Sequence, residues 1–436
     1  MGIGSKKDLL YVSFFLLRRS GAEPVLEYLK SENTGPFSTA ELTFAERLNV
    51  ITGGNGLGKS FLLDVIWWAL TDTWPCRLNG NLNRGFAARP GKGKSATISF
   101  SLNDFFAKSA CSASFDDKTR AWTGLGERVQ EAGIVVYAME DGSFAVFHGI
   151  GRLADSNPRE KPQAYVFTQR DILDGPGNAP CDGLVRDLVR WQEKNREAFA
   201  AFKELMRRLS PEGREPLVPC DLAADRFGHA LLTISMGYGE PVPFCLASQA
   251  VRRVLSFAYL LVWSIEEYKR QCRGDQSPAV TILYDYVEAH MHPVWQRSLV
   301  PSLVFALQEL AGHTQYFFTT LSPIVLGSLE DIFAVGNNAR DAWFDIDLIE
   351  RSVRIDRCDF MKQGCFGNWL TSEAFDLPTD FSLSKEKLFE ELGSRVRDPG
   401  LTRNEALQLE QRMLATLSEV DPLWIRRRMF LRSKGW

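Results

Sequence analysis

The stretch that decides the fold is LNVITGGNGLGKS, residues 48–60. It begins with an apolar run that has the composition of a buried β-strand and continues into a glycine-rich turn. The next ten residues, FLLDVIWWAL (61–70), have the length and apolar pattern of a helix. A strand, a glycine-rich turn and a helix in this order are typical of proteins that bind phosphate groups at the helix N-terminus.

The spacing of the glycines and of the Lys-Ser pair makes this prediction specific. Gly53, Gly58, Lys59 and Ser60 satisfy the pattern GxxxxGK[ST] of a phosphate-binding loop (P-loop). The glycines let successive backbone N–H groups point at one phosphate, the lysine places a charge at the β/γ oxygens, and the serine hydroxyl is a Mg²⁺ ligand. We therefore expect a nucleotide to bind to the loop residues Gly53, Asn55, Gly56, Gly58, Lys59, Ser60 and Phe61.

The length of 436 residues allows two or three domains, or one large domain with insertions. Hydrophobic residues make up 45% of the chain and charged residues 24%, which is typical of a soluble globular protein. The formal net charge is −3, so overall charge does not favour nucleic acid or a membrane surface. Any basic binding surface must be local.

Targeting and redox features favour a cytoplasmic protein. The N-terminus, MGIGSKKDLL, lacks a signal-peptide pattern, and Lys6 does not fit a myristoylation motif. The longest apolar run, VLSFAYLLVWSI (254–265), is shorter than the ~20 residues of a membrane span and predicts a buried helix. The eight cysteines contain no CxxC pair, which favours reduced thiols. We expect no membrane association.

A second stretch, ILYDYVEAHMHP (282–293), has two interpretations from its residues alone. Glu288, His290 and His292 are types that ligate metals, so the segment is a candidate metal site. P-loop enzymes also place an Asp at the end of a second core strand to hold Mg²⁺. Asp285 follows the apolar run ILY and fits that second interpretation.

Three segments of the chain resemble parts of the ABC-type ATPases related to the RecF, SMC and OLD families. The run YDYVEAHMHPVWQRSLVPSL (284–303) resembles their Walker B region, which reads roughly DEPEAHLHP before a helix. LASQAVRRVLSFAYLL (246–261) resembles their signature turn and helix. FFTTLSPIVLGSLE (317–330) resembles their strand and switch, usually TTHSP. The resemblance covers about 45–70 and 245–330, in the family order.

The resemblance implies an α/β fold: an ABC-type P-loop ATPase head with an N-terminal antiparallel subsheet, a short helical insertion and a helical C-terminal extension. It implies ATP and Mg²⁺ as ligands and an ATP-dependent dimer or higher homo-oligomer. We expect the two halves of the head at 1–180 and 231–345, the insertion at 181–230, and a mostly helical extension at 346–436.

The chain departs from the family pattern at three positions that serve hydrolysis. Tyr286 stands where the family has the general-base Glu, Ala250 where the signature Gly lies, and Leu321 where the switch His contacts the γ-phosphate. A phenol with a pKa near ~10 is a poor base at neutral pH. Losing a base or a γ-phosphate contact costs about 10²-fold or more in rate. We expect ATP·Mg²⁺ binding with slow or absent hydrolysis.

Several further residues have both a functional and a structural interpretation. Glu288 is either a displaced base or a structural acceptor, and we favour the structural role. Gln169, after the apolar run YVFT, is either a Q-loop residue that contacts Mg²⁺ or an ordinary surface residue. Ser248, together with Arg252 and Arg253, is a candidate for contacting the γ-phosphate of a partner subunit's nucleotide. The two arginines are equally suited to capping or ion pairs, so Ser248 is the favoured contact. The expected Mg²⁺-site residues are Ser60, Asp285 and Gln169.

The layout also resembles the compact defence ATPases of the Septu type, which work with a separate HNH nuclease. The insertion is too short for the coiled coil of SMC relatives, and the chain after 330 lacks an acidic nuclease motif. One hypothesis is therefore an ATP-binding scaffold that regulates an HNH-type or other nuclease in anti-phage defence. The alternative is an active RecF/SMC-like ATPase acting on DNA ends.

The C-terminal WIRRRMFLRSKGW (424–436) suits either nucleic-acid binding or docking on the ATPase core.

Overall fold

The chain forms two compact units, residues 1–364 and 365–436. The computed structural model describes the following residues: 25–82, 87–91, 94–104, 107–123, 133–149, 163–176, 181–211, 217–219, 223–224, 230–236, 240–272, 278–311, 313–333, 339–396, 401–418, 421 and 423–433. The apolar run at 10–17, which the sequence suggests as a strand, lies outside them.

The first unit contains both strands and helices, and the elements of the second unit are helices. The strands are β1 Val25–Thr34, β2 Phe37–Thr43, β3 Leu48–Gly53, β4 Thr97–Asp104, β5 Ala107–Asp116, β6 Ala121–Thr123, β7 Ile134–Ala138, β8 Phe144–His148, β9 Gln163–Phe167, β10 Val218–Pro219, β11 Ala223–Ala224, β12 Ala230–Leu231, β13 Thr233–Ser235, β14 Val242–Pro243, β15 Val280–Tyr284, β16 Thr314–Thr319, β17 Asp341–Ile349 and β18 Ser352–Cys358. The α-helices are α1 Lys59–Thr71, α2 Pro75–Leu78, α3 Gln169–Asp174, α4 Leu184–Lys194, α5 Arg196–Leu209, α6 Gln249–Cys272, α7 Pro293–Leu310, α8 Pro323–Ser328, α9 Phe366–Leu370, α10 Leu383–Val396, α11 Arg403–Thr416 and α12 Leu423–Ser433.

An eight-stranded sheet forms the centre of the first unit. Its order is β18-β17-β3-β16-β15-β7-β8-β9. The five strands from β17 to β7 are parallel, and antiparallel hairpins close both ends. Since β3, β15 and β7 run in the same direction, their carboxyl ends meet at one edge of the sheet. Ligands of open α/β sheets bind at this edge.

Helix α1 packs between the central sheet and a second, antiparallel sheet of order β2-β1-β4-β5-β6. The core around α1 contains Trp67 and Trp68 together with residues of both sheets. Gln315 joins the sheets through polar contacts: its side chain accepts from Leu26 N–H (3.1 Å) and donates to the carbonyls of Leu26 (3.0 Å) and Ala45 (2.9 Å). The first unit is therefore an α/β fold with an antiparallel subsheet, and the second unit is helical.

The sequence predicts a strand from the apolar run 42–52 and one helix from the three- and four-residue apolar spacing of 183–209, and each of these is divided in two. The apolar run 42–52 contributes to β2 and β3, which a turn separates. The helical pattern 183–209 forms α4 and α5, with Asn195 between them at φ −136°. The Asn195 side chain accepts a hydrogen bond from Ala198 N–H at 3.2 Å. A capping Asn competes with continuous helix because it satisfies the free N–H groups of a new first turn.

The expected insertion, 181–230, contains α4 and α5 and then short strands in place of further helix. The hairpin of β17 and β18 belongs to the central sheet. In the second unit, α10 to α12 surround a small core of Leu388, Met413 and Leu417. No helix in the described ranges is both long and apolar enough to cross a bilayer.

Candidate functional site: a phosphate loop facing the end of strand β15

Three glycines of the loop have positive φ values, a backbone conformation that favours glycine. Gly53, Gly56 and Gly58 have φ values of 127°, 77° and 103°. A Cβ on Gly53 would lie 2.3 Å from the carbonyl oxygen of Ile346, and one on Gly58 would lie 2.5 Å from Pro36 Cγ. The loop is therefore tightly supported by β17 and by the β1–β2 turn. It leads directly into the N-terminus of α1, where free N–H groups favour an anion.

Lys59 lies at the centre of the site and is 2% exposed. Its Nζ donates to the carbonyls of Gly53 (2.7 Å) and Gly54 (2.8 Å). Burial lowers the pKa of Lys59, and the charges of four carboxylates act in the opposite direction, in the order Asp285, Glu288, Asp345 and Glu140. The charge of the loop lysine thus interacts with the charges of these four acids.

Asp285 follows β15 and is fully buried. Its Oδ1 accepts a hydrogen bond of 2.8 Å from the hydroxyl of Thr319, which ends the neighbouring strand β16. The backbone also fixes this position, because Asp285 N–H donates to the Ala138 carbonyl at 2.9 Å. The structure therefore holds Asp285 at the carboxyl end of its strand, where its charge acts on Lys59. This placement fits a Mg²⁺-binding carboxylate.

Tyr286 covers the loop lysine. Lys59 Nζ lies 5.3 Å from the centroid of the Tyr286 ring, within the range of a cation–π contact. Tyr286 has a φ of 47°, and its N–H donates to the Thr319 hydroxyl at 2.7 Å. A left-handed backbone costs energy at a bulky aromatic residue, so the surrounding structure must hold it. The side chain at the family's general-base position is an aromatic ring facing the lysine.

Glu288 binds the segment that corresponds to the family switch. Its carboxylate accepts from the Thr320 hydroxyl (2.8 Å) and from Leu321 N–H (2.7 Å). Burial raises the pKa of Glu288, and these two hydrogen bonds act against that rise. Glu288 thereby joins the turn after β15 to the turn after β16. Leu321 offers no polar side chain at this point.

The signature-like segment begins helix α6. Ser248 is exposed, and its hydroxyl oxygen accepts from Val251 N–H at 3.4 Å, while Ala250 is buried in the first turn. Arg253 is 4% exposed, donates to the Asp285 carbonyl at 2.5 Å, and lies 4.8 Å from the Tyr284 ring centroid. The structure thus links α6 to the end of β15 through Arg253. The sequence predicted for Arg253 either a contact to a partner subunit's γ-phosphate or a capping or ion-pair role, and did not predict its contact with the Asp285 carbonyl.

Gln169 is the first residue of α3 and is exposed. Its Nε2 donates to the carbonyl of Asp141 at 3.0 Å. Asp141 neighbours Glu140, whose charge acts on Lys59. Gln169 therefore contacts a turn at the same sheet edge as the loop.

His290 and His292 have local roles. His290 is exposed with a φ of 65°, and His292 Nδ1 accepts from Val294 N–H at 3.3 Å at the start of α7. Within the described residues, no group of three or more His, Cys, Asp or Glu side chains is arranged to hold a metal ion.

Sequence reasoning missed two acids near the loop, Glu140 and Asp345. Glu140 comes two residues after β7, the strand beside β15, so an acid after the apolar run GIVVYAM is a usable signal. Asp345 lies within β17, and its proximity to the loop depends on the pairing of β17 with β3, which no motif indicates.

Residues 28–129 match the family model described as AAA domain. No curated protein sequence matches the chain. Similar solved structures include the SMC head domain from Thermotoga maritima, at 14% identity and a TM-score of 0.37, with 77% of this chain and 99% of that chain covered. The SMC head from Pyrococcus furiosus bound to the C-terminal domain of ScpA has 11% identity and a TM-score of 0.42, covering 77% and 96%.

The recombination mediator protein RecF of the RecFOR pathway is also similar, at 14% identity and a TM-score of 0.37, with 78% of this chain and 100% of that chain covered. The assignment of the fold class rests on the strand order and on the position of the phosphate loop.

Proposed function

We propose that this protein binds ATP with Mg²⁺ at the phosphate loop. Three features support the proposal: the glycine conformations of the loop, the buried Lys59 at its centre, and Asp285 at the adjoining strand end. Loop N–H groups and Lys59 would hold the phosphates, while Ser60 and Asp285 would hold the metal ion directly or through water. Bound Mg²⁺ would neutralise phosphate charge.

We further propose that hydrolysis is slow or absent, and the observation that carries this is the Tyr286 ring over Lys59. A general base must lie within hydrogen-bond reach of the attacking water and have a suitable pKa, and a phenol lacks the second property at neutral pH. Glu288, the alternative base that the sequence offers, already accepts two hydrogen bonds from the switch turn.

The test combines ATP binding with phosphate release on the purified full-length chain. We expect saturable ATP·Mg²⁺ binding that Lys59→Ala abolishes, and turnover well below about one per second, a common enzyme rate. Tyr286→Glu should raise turnover about tenfold or more, since it places a carboxylate at the base position. Tyr286→Phe is the matched control, because it keeps the ring over Lys59, and turnover should not change.

At the level of biology, we propose an ATP-sensing subunit that assembles with itself and regulates a partner nuclease in anti-phage defence. The support is the likeness of the chain to Septu-type ATPases together with the altered hydrolysis positions. Co-expression with the product of a neighbouring HNH nuclease gene tests it: a stable complex whose nuclease activity responds to ATP is expected. A nuclease that neither binds the protein nor changes activity with ATP contradicts it.

The alternative, a RecF/SMC-like ATPase acting on DNA ends, is favoured by the intact loop and by Asp285. It requires turnover that DNA stimulates and DNA binding that weakens steeply with salt. The same phosphate-release assay with and without DNA therefore separates the two functions.

A further inference from the structure

Asp345 is a buried acid beside the phosphate loop that belongs to none of the loop, Walker B, signature or switch segments. It lies on β17, is 6% exposed, and pairs in register with Thr52 of β3. The Thr52 hydroxyl donates to the Asp345 carboxylate, and Trp343 Nε1 donates to the Thr52 hydroxyl oxygen at 2.8 Å. The carboxylate is therefore fixed in place at the last residue before the loop begins.

The backbone next to Asp345 supports the loop directly. Ile346 contacts Gly53 so closely that a Cβ on the glycine would lie 2.3 Å from the Ile346 carbonyl oxygen. The Gly53 carbonyl in turn accepts from Lys59 Nζ at 2.7 Å. Asp345 is thus one residue from the strand position on which the loop rests, and its charge acts on Lys59.

We propose that Asp345 is a specificity-determining residue that makes the loop select Mg²⁺-complexed over uncomplexed nucleotide. This inference rests on the proposed ATP binding. A fixed negative charge in a buried position is weakly screened, so it repels phosphate oxygens in proportion to their charge. Mg²⁺ removes two units of that charge from ATP. Asp345 therefore disfavours free ATP more strongly than ATP·Mg²⁺.

The direct test is a binding titration of ATP and ADP to the full-length protein and to Asp345→Asn, with EDTA and with saturating Mg²⁺. The Asn side chain keeps the shape of Asp345 and an acceptor for Thr52. Without Mg²⁺, the variant should bind ATP about threefold to tenfold more tightly than the unaltered protein, and ADP by a smaller factor. With Mg²⁺ the gain should shrink for both nucleotides.

Two further variants separate charge from structure. Asp356→Asn makes the same change directly opposite Asp345 on β18, where the side chain is exposed, so ATP affinity should change less than twofold. Asp345→Ser provides a second neutral variant if Asp345→Asn folds poorly. It should also raise the affinity for ATP more than the affinity for ADP. Thr52→Val keeps the charge, and its effect should be the same for ATP and ADP.

The inference would be overturned if Asp345→Asn raised the affinities for ATP and ADP by the same factor. It would also be overturned if Asp356→Asn raised the ATP affinity as much as Asp345→Asn does. ATP binding that weakens in Asp345→Asn only when Mg²⁺ is present would overturn it too, because that result makes Asp345 a metal ligand. An unaltered protein that binds no nucleotide under either condition would overturn the proposed function and this inference with it.

Discussion

Tyr286 and Glu288 follow strand β15 two residues apart, and their side chains contact different parts of the site. Tyr286 faces Lys59, while Glu288 accepts hydrogen bonds from Thr320 and Leu321. The carboxylate that follows the base position two residues later is thus engaged in holding the switch turn. Its expected contribution is to stability rather than to catalysis.

Replacing Glu288 with Gln tests that assignment. We expect a free energy of unfolding lower by about 1–2 kcal/mol, because a charged acceptor of two hydrogen bonds is lost, and phosphate release that is unchanged. Chemical denaturation and the phosphate assay measure the two quantities, with the exposed turn variant Glu350→Gln as the control. A fall in turnover of about 100-fold at unchanged stability would make Glu288 the base.

The buried side chain of His148 makes the stability of the folded protein sensitive to acid. It is 1% exposed, its ring centroid lies 5.1 Å from that of Trp263, and neither ring nitrogen has a hydrogen-bond partner among the described residues. Burial lowers the pKa of His148 to about 4, although the charge of Glu267 acts in the opposite direction. The folded protein therefore keeps this ring neutral where the unfolded chain binds a proton.

The resulting pH dependence has a definite sign. Between the unfolded pKa near 6.5 and the folded value near 4, the unfolded state binds more protons, so stability falls as pH falls through this window. The loss across the whole window is on the order of 3 kcal/mol. His148→Phe should remove most of this component in denaturation midpoints from pH 7 to 5, whereas the exposed-site variant His290→Asn should retain it. Identical pH profiles for His148→Phe and the unaltered protein would refute the assignment.

At the residue level, sequence reasoning works where a motif fixes spacing. The loop from Gly53 to Ser60 can be predicted because its chemistry needs those residues consecutively. Asp345 cannot, because it reaches the loop through a strand pairing between residues almost 300 positions apart in the chain. Arg253 was visible as part of the signature segment, but its contact with the Asp285 carbonyl was not.

Helices α4 and α6 are joined by a buried polar contact. Tyr259 Oη donates to the Asp187 carboxylate at 2.6 Å, and Asp187 is fully buried. Burial raises the pKa of Asp187, while the Tyr259 hydrogen bond and Arg190 act to lower it. Trp191 packs against the Tyr259 ring with centroids 5.8 Å apart. Helix α4 of the expected insertion and the signature-like helix α6 are therefore connected through the buried Asp187 carboxylate. The groups that donate hydrogen bonds to this carboxylate stabilise its charged form.

Tyr259→Phe should lower the free energy of unfolding by about 2 kcal/mol, because a buried carboxylate loses a donor. Tyr28→Phe is the matched control: its hydroxyl donates to Glu41 at 2.9 Å at the surface, where water replaces the lost partner. The control should change stability by less than about 0.5 kcal/mol. If chemical denaturation gave the same loss of unfolding free energy for both variants, the buried Tyr259–Asp187 hydrogen bond would stabilise the protein no more than the exposed one does.

At the level of elements, the apolar pattern predicts helices α1 and α6 and the strand β15 that precedes Asp285. It fails at the pattern 183–209, since α4 and α5 present one continuous apolar spacing although the chain turns at Asn195. The break depends on a capping hydrogen bond, which periodicity does not contain.

For the whole molecule, the central sheet brings together segments that are distant in the chain. Strand β3, which leads into the phosphate loop, lies between β16 and β17. The loop is therefore formed by residues near the start of the first unit and contacted by residues near its end in the sequence. Alternating strands and helices predict a parallel sheet, but the strand order follows from packing that the sequence pattern does not display. The described site residues all belong to residues 1–364.

The function proposed here is that the protein holds ATP·Mg²⁺, while Tyr286 leaves it without an effective general base. Steady-state phosphate release from the full-length protein, measured beside ATP binding on the same sample, tests it most directly. We expect saturable binding that disappears in Lys59→Ala, with turnover far below about one per second. Turnover at or above that rate, lost in Lys59→Ala, would contradict it.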